Sequence, residues 1–215
     1  MAKNIRIVPA ILTDDPVSLG KMVRLAESFA HFVQIDIMDG KFVPSHSVSY
    51  QDIAVSKPKF KWEAHLMVQH PEDYLEGFKQ AGAQKIIFHY EANTDPIETI
   101  SLIRKLGMQV GLAINPKTNI ADFAPLVKQV DSLLFLSVEP GFYGAKFIPA
   151  VLDKIVTFRQ AYPKMETAID GGVKEENIIE IARTGVDVVC IGSAIFNTPN
   201  PASAYRRLKE LVAAA

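Results

Sequence analysis

Eight short runs rich in β-branched and apolar residues recur along the chain, and segments of helical character separate them. This alternation restricts the fold more than any other feature, because it is the signature of a parallel sheet wrapped by helices. The predicted strands are Arg6–Ile11, Phe32–Ile37, Lys61–Met67, Lys85–His89, Gln109–Ile114, Ser132–Ser137, Lys164–Asp170 and Val186–Ile191. Between them apolar residues fall at helical steps, as in Tyr74, Phe78 and Ala81 or Ile97, Ile100, Ile103 and Leu106. Gly82, Gly107 and Gly185 each stand just before a strand, where a helix C-cap calls for left-handed backbone. Asp15-Pro16, Asp95-Pro96 and Asn200-Pro201 place a capping side chain ahead of a proline at a helix start.

Eight such units in 215 residues leave about 27 residues each, near the lower bound of roughly 200 residues for a closed (β/α)8 TIM barrel. The expected fold is therefore α/β, a single barrel domain spanning residues 1–215 with a parallel eight-stranded core. An open doubly wound sheet is the competing architecture, since periodicity does not show closure. No linker, charge block or low-complexity segment divides the chain, and Ala213-Ala214-Ala215 reads as a frayed helix end.

With 48% apolar and 22% charged residues, the composition excludes a disordered, collagen-like or disulfide-scaffold protein. Lys and Arg number 23 against 24 Asp and Glu, a net charge of −1, so no field draws the chain to nucleic acid or an anionic membrane. Any bound phosphate must be held locally. The single cysteine, Cys190, cannot form an internal disulfide, and the start Met1-Ala-Lys-Asn-Ile-Arg lacks a secretory apolar stretch. No apolar run approaches the roughly 18 residues of a membrane span. The expectation is a cytoplasmic protein. Self-association is plausible for a small barrel, but no apolar stripe marks an interface.

Reactive groups of a parallel barrel collect where strands end and βα loops begin. The second strand closes as Gln34-Ile35-Asp36-Ile37-Met38-Asp39-Gly40. Alternation puts Gln34, Asp36 and Met38 on one face, and if the isoleucines pack on helices, Asp36 points into the barrel. A carboxylate there requires a partner, a hydrogen bond or a cation. Asp39, followed by Gly40, reads better as a turn residue. The third strand presents Glu63, His65 and Met67 on one side, with His65 at the same mouth as Asp36. His31, His46, His70 and His89 have weaker claims, lying in loops or at element ends with no paired carboxylate nearby in sequence, although His89 closes the fourth strand. The seventh strand ends in Asp170-Gly171-Gly172 and the eighth in Gly192-Ser193, while the sixth opens into Glu139-Pro140-Gly141-Phe142-Tyr143-Gly144, long enough for a lid. Glycine-bearing loops after successive strands of one rim suggest a phosphate held by backbone amides, with no arginine cluster needed.

Taken together, these motifs resemble the ribulose-phosphate 3-epimerase family along essentially the whole chain. The matching stretches are Pro9-Ala10-Ile11-Leu12, Asp36 to Pro44, His65-Leu66-Met67-Val68, Asn115-Pro116, Ser137 to Phe142, Asp170-Gly171-Gly172-Val173 and Gly192-Ser193-Ala194. The resemblance implies a (β/α)8 barrel that interconverts D-ribulose 5-phosphate and D-xylulose 5-phosphate, with a divalent metal held by two histidines and two aspartates. By match, Asp36 and Asp170 are the acid/base pair and also metal ligands, and His65 is one further ligand. Met38 and Met67 correspond to methionines lining the family's site, although ordinary core packing would explain them equally well. The implied binding surface adds Gly141, Phe142, Tyr143, Gly144, Gly171, Gly172, Gly192 and Ser193. Inverting a carbon beside a ketone requires removing a proton from one face and returning one to the other, so a carboxyl group on each side suits the chemistry. The enediolate between those steps needs a cation or aimed donors.

The sequence departs from the family around the ligand. Gln34 stands where the family has its first histidine ligand; a neutral carbonyl oxygen should weaken zinc, iron or cobalt and favour harder cations, leaving the metal weak or absent. Ala10 replaces a serine, Lys41 and Ser45 a histidine and an asparagine, Tyr143 and Ala145 a glycine and a glutamine, and Leu136 a methionine. The expected activity is a phosphorylated-ketose 3-epimerase acting on ribulose 5-phosphate. A ketohexose 6-phosphate such as allulose 6-phosphate shares the reacting atoms and is the next substrate, and a sugar-phosphate binder without turnover is the alternative class. A lyase of the related phosphate-binding barrels would carry Asp-x-Lys-x-x-Asp on its third strand, where this chain has Glu63-Ala64-His65-Leu66-Met67-Val68 and no lysine.

Overall fold

The computed structural model describes residues 5–141 and 145–215. Strands β1 (Arg6–Ile11), β2 (Phe32–Met38), β3 (Lys61–Met67), β4 (Lys85–His89), β5 (Gln109–Ile114), β6 (Ser132–Leu136), β7 (Glu166–Asp170) and β8 (Val188–Ile191) follow one another around a closed barrel. Every neighbouring pair is parallel, and β8 returns to pair with β1, which excludes the open sheet. Among the described residues the α-helices are α1 (Pro16–Ala26), α2 (Tyr50–Ser56), α3 (Leu75–Gln80), α4 (Pro96–Lys105), α5 (Ile120–Phe123), α6 (Ala150–Ala161), α7 (Ile178–Arg183), α8 (Ser193–Phe196) and α9 (Pro201–Ala213).

The local signals act as their chemistry dictates. Asp15, Asp95 and Asn200 cap α1, α4 and α9 by accepting hydrogen bonds from first-turn N–H groups, each ahead of its proline. Gly82, Gly107 and Gly185 take φ of 98°, 72° and 78° at the ends of α3, α4 and α7. Two strand starts differ from expectation. At β7 the chain is still turning through Met165, whose N–H donates to the Tyr162 carbonyl, so the strand begins at Glu166. Before β8, Asp187 turns its carboxylate to the Thr167 N–H and to Arg159, and regular pairing starts at Val188. At the other ends, β2 runs one residue further, to pair Met38 with Met67, and β6 stops at Leu136 because Ser137 folds its hydroxyl onto β7.

Both faces of the strands are covered, as in any parallel barrel. Ile35, Leu66, Phe88, Leu133 and Ile169 point outward and pack with helix residues such as Phe78 and Phe158. Val8, Ala10, Ile87, Ala113, Leu134, Ala168, Val188 and Cys190 fill the interior. The large exposed apolar side chains are spread over several helices, as with Val17, Val55, Ile97, Val156 and Ile179. Among the described residues, no helix is long and apolar enough to cross a membrane.

The N-terminal end of the barrel holds charge. Lys85 Nζ lies 3.1 Å from Glu63 Oε2 and 3.7 Å from Glu166 Oε1, and Arg6 pairs with Glu166 at 2.5 Å. Gly111 makes room for this ammonium stem: a Cβ there would come within 2.7 Å of Ile87 Cγ1 and 3.2 Å of Lys85 Cε. Removing one member of a buried pair strands the other's charge. Lys85→Met is therefore expected to lower unfolding stability by about 3 kcal/mol, with much of the loss recovered in Lys85→Met/Glu63→Leu. Urea midpoints of these variants and of Glu63→Leu check this; a loss in the double variant equal to the sum of the two single losses would mean that the pair is not coupled.

Candidate active site

The alternation of β2 and β3 builds the site. Ile35 and Ile37 go into the outer core, which turns Gln34 and Asp36 inward. The register sets Asp36 directly beside His65 on β3. Asp170 reaches the same point from β7, across the barrel mouth. The ligating atoms of Asp36, His65 and Asp170 all lie within 4.8 Å of one another. Gln34 Nε2 donates to Asp36 Oδ1 at 2.8 Å and to Asp170 Oδ2 at 2.6 Å, so one amide bridges both carboxyls. His65 Nδ1 is 3.0 Å from Asp36 Oδ1 and 3.6 Å from Asp170 Oδ2.

The carboxyl of Asp170 is positioned by its backbone. The Ser137 N–H donates to the Asp170 carbonyl at 2.7 Å, and the Ser137 hydroxyl bridges the carbonyls of Asp170 and Gly171 at 2.9 and 2.6 Å. The chain then turns through φ of +109° at Gly171 and +64° at Gly172. A Cβ on Gly171 would lie 2.6 Å from Val138, and one on Gly172 3.0 Å from the Phe147 backbone. Both positions therefore require glycine.

Burial, reinforced by the nearby Asp36 charge, pushes Asp170 up to about 7. It thus holds a proton into the neutral range. For His65, burial works against the charged ring, but the hydrogen bond to Asp36 and the charges of Asp36 and Asp170 outweigh it and raise its pKa. Burial likewise pushes the Cys190 thiol up, so this side chain acts as an apolar wall residue and not as a nucleophile. Asp39 serves the turn, as expected: its carboxylate accepts from the N–H groups of Lys41, Phe42 and Gln69. Partial burial opposes its ionisation, yet those three donors hold it below the usual carboxylate range.

Above the carboxyls lies a cavity of about 360 Å³. Asp36, His65, Asp170, Met38, Met67, Gly141, Gly171, Gly172, Gly192 and Ser193 all line it. The methionines, both nearly buried, pack with Leu12, Phe42 and Val43 into one wall. Ala10, Leu136 and Ala145 face the same space. Gln34 lies beneath the cavity and does not line it. Ser45 joins the β2 and β6 loops through a 2.6 Å bond from its hydroxyl to the Gly141 carbonyl. Phe142, Tyr143 and Gly144 fall outside the described residues.

Two features were not foreseen. Lys174 lines the cavity beside the glycine loops, and its place directly after Asp170-Gly171-Gly172-Val173 was the available signal. The second is that His89 has a carboxylate partner close in sequence, contrary to expectation. Its Nε2 lies 3.0 Å from His65 Nε2, and its Nδ1 lies 3.4 Å from Glu91 Oε2, a carboxylate only two residues along the chain. The His-x-Glu spacing just past a strand end was the signal. Burial first, then the neighbouring His65, pushes His89 down to about 4 against the pull of Glu91, so its ring is neutral. Glu91 is held below its ordinary value, despite burial, by His89, Thr118 and the Asn115 N–H.

Residues 6–196 match the Ribulose-phosphate 3 epimerase family. The ribulose-phosphate 3-epimerase of Synechocystis sp. is 39% identical over 95% of this chain and 93% of its own, and that of Aquifex aeolicus is 33% identical over 97% of each. Among solved structures, 3-hexulose-6-phosphate synthase from Salmonella typhimurium superposes with a TM-score of 0.70 at 20% identity, covering 97% of this chain and 98% of that one. KGPDC from Streptococcus mutans superposes with a TM-score of 0.76 at 12% identity over 98% of each. At such identities the structural likeness establishes the barrel fold alone, whereas the family match spans residues 6–196. The chain belongs to the ribulose-phosphate 3-epimerase family.

Proposed function

We propose that this chain is a single-domain isomerase that interconverts D-ribulose 5-phosphate and D-xylulose 5-phosphate, with Asp36 and Asp170 exchanging protons with C3 of the ketose. The observation carrying the reading is the convergence of the two carboxyls, from β2 and β7, on one bridging amide beneath the cavity. One group removes the C3 proton while the other supplies a proton to the opposite face, and the reverse reaction exchanges their roles. Protonation of Asp170 up to about pH 7 suits it to donate in one direction. The phosphate belongs at the backbone amides of the Gly171-Gly172 and Gly192-Ser193 turns, with the Lys174 ammonium at the rim as the local positive charge. The apolar wall of Met38 and Met67 keeps water from the enediolate. Incubation with D-ribulose 5-phosphate should yield D-xylulose 5-phosphate, with a ketohexose 6-phosphate as comparator. Faster turnover of the hexose would reassign the substrate, and saturable binding without turnover would reassign the class. A cytoplasmic location fits this chemistry, and one relative, from Oryza sativa, is named a cytoplasmic isoform.

The donor set fits a divalent cation: one imidazole and two carboxylates come together, while Gln34 Oε1 is buried with no hydrogen-bond partner among the described residues. Asp36, His65 and Asp170 would hold the ion, and Gln34 has only its neutral carbonyl oxygen to add. Bound there, a cation neutralises the negative charge of an enediolate. The imidazole nitrogen of a histidine suits zinc better than an amide oxygen. Gln34→His is therefore expected to tighten zinc binding by on the order of tenfold or more, read by titration against a chelator. Unchanged affinity would remove Gln34 from the ligand set.

A further inference from the structure

We propose that His89 and Glu91 are a positioning pair that keeps a hydrogen on His65 Nε2, so that Nδ1 is the nitrogen left to serve Asp36, Asp170 or a cation. The two Nε2 atoms meet at 3.0 Å, and a single hydrogen fits between them. Which ring carries it is decided at the far side of His89. There Nδ1 faces Glu91 Oε2 at 3.4 Å, and a carboxylate only accepts. His89 Nδ1 thus bears the hydrogen, the neutral ring leaves Nε2 bare, and His65 must donate from its own Nε2.

Glu91 is itself fixed. Its Oε1 accepts from the Asn115 N–H at 2.9 Å and the Thr118 hydroxyl at 2.5 Å. That turn is clamped in its own right by Lys154 on α6, whose ammonium donates to the carbonyls of Asn115, Pro116 and Thr118. Phe42 covers the His89 ring, with centroids 4.8 Å apart. Orientation therefore passes from a turn outside the barrel, through two fully buried rings, to the atom of His65 that touches the reactive carboxyls. Histidines beside carboxylates hold one tautomer by this means, and a histidine that binds a cation needs its second nitrogen so fixed.

Glu91→Gln gives a sharp test, because the Asn115 N–H continues to claim the amide oxygen and turns the NH2 group toward His89. An NH2 group donates, so His89 Nδ1 must become the acceptor and the hydrogen moves to Nε2. Long-range ¹H–¹⁵N spectra of histidine-labelled, cation-free protein near neutral pH should show His89 as the Nδ1–H tautomer in the parent and the Nε2–H tautomer in Glu91→Gln. The Nε2–H form in the parent, or the same form in both proteins, would overturn the proposal. Zinc affinity of Glu91→Gln should fall about 10–100-fold. It should fall likewise in His89→Phe and recover in part in His89→Gln, whose amide oxygen accepts from His65. Equal affinities in all four proteins would count against any effect passing through His65. The consequence for turnover rests on the epimerase reading, whereas the spectra do not. A parent protein without epimerase activity would overturn that reading and leave the tautomer result to decide this one.

Discussion

Asp36→Asn and Asp170→Asn are each expected to lower kcat by about 10²–10⁴-fold, the usual contribution of a positioned proton donor or acceptor. The two losses should be alike in size because neither half of the inversion proceeds without the other. Asparagine keeps the shape of the side chain and can still accept from Gln34 Nε2, so the bridge at 2.8 and 2.6 Å has a partner in either variant. The double variant should be little slower than the single ones, since groups that act as a unit are strongly non-additive. Rates measured in both directions with each epimer check this. A single variant within a few-fold of the parent would show that its carboxyl handles no proton.

The second large effect runs the other way, on stability. Asp170 is held at about 7 against an ordinary 3.8, a rise of about three units, which corresponds to roughly 4 kcal/mol at 1.36 kcal/mol per unit. Below about pH 4 the carboxyl is protonated whether the chain is folded or not, and it contributes no difference. As the pH rises from there towards 7, the unfolded chain releases this proton while the folded chain keeps it. The folded state then binds more protons, and stability falls by about 1.4 kcal/mol per pH unit until it levels off above 7. His65, also raised, stabilises the fold below 6.5 and loses that contribution at higher pH, so the window from 4 to 6.5 isolates Asp170. Asp170→Asn, free of cation, should match the parent near pH 4 and exceed it by a few kcal/mol near pH 7. Urea unfolding across that range reads the difference. Parallel pH profiles for the two proteins would mean that burial imposes no such cost on Asp170. Divergent profiles, as expected here, would make the site least stable where it has to work, a common property of catalytic centres.

Much of this site was legible because it depends on period and register. Alternation alone turns Asp36 and His65 inward once Ile35, Ile37, Ala64 and Leu66 are given to the helices, and the strand ends place both groups at the mouth. Asp39 could be set aside for its turn by the glycine that follows it. The contact of His89 with His65 was not legible, because it is a relation between neighbouring strands that spacing along one strand does not express. Its carboxylate partner, at position 91, was nevertheless close enough in sequence to notice. Gln34 was read as a weak metal ligand, while its second role, a donor joining two carboxyls, needed the distance between β2 and β7. Alternation had set Glu63 on the same side as His65, but its partner Lys85 carried no visible signal, since a charged residue inside a strand reads as solvent-facing until the barrel closes around it.

Proton NMR of D-ribulose 5-phosphate incubated with the protein in deuterated water tests the central proposal most directly. The prediction is D-xylulose 5-phosphate carrying deuterium at C3, formed by the parent and lost to the same degree in Asp36→Asn and Asp170→Asn. Epimer formed with its C3 hydrogen wholly retained, or deuterium incorporated at the parent rate by either variant, would contradict it.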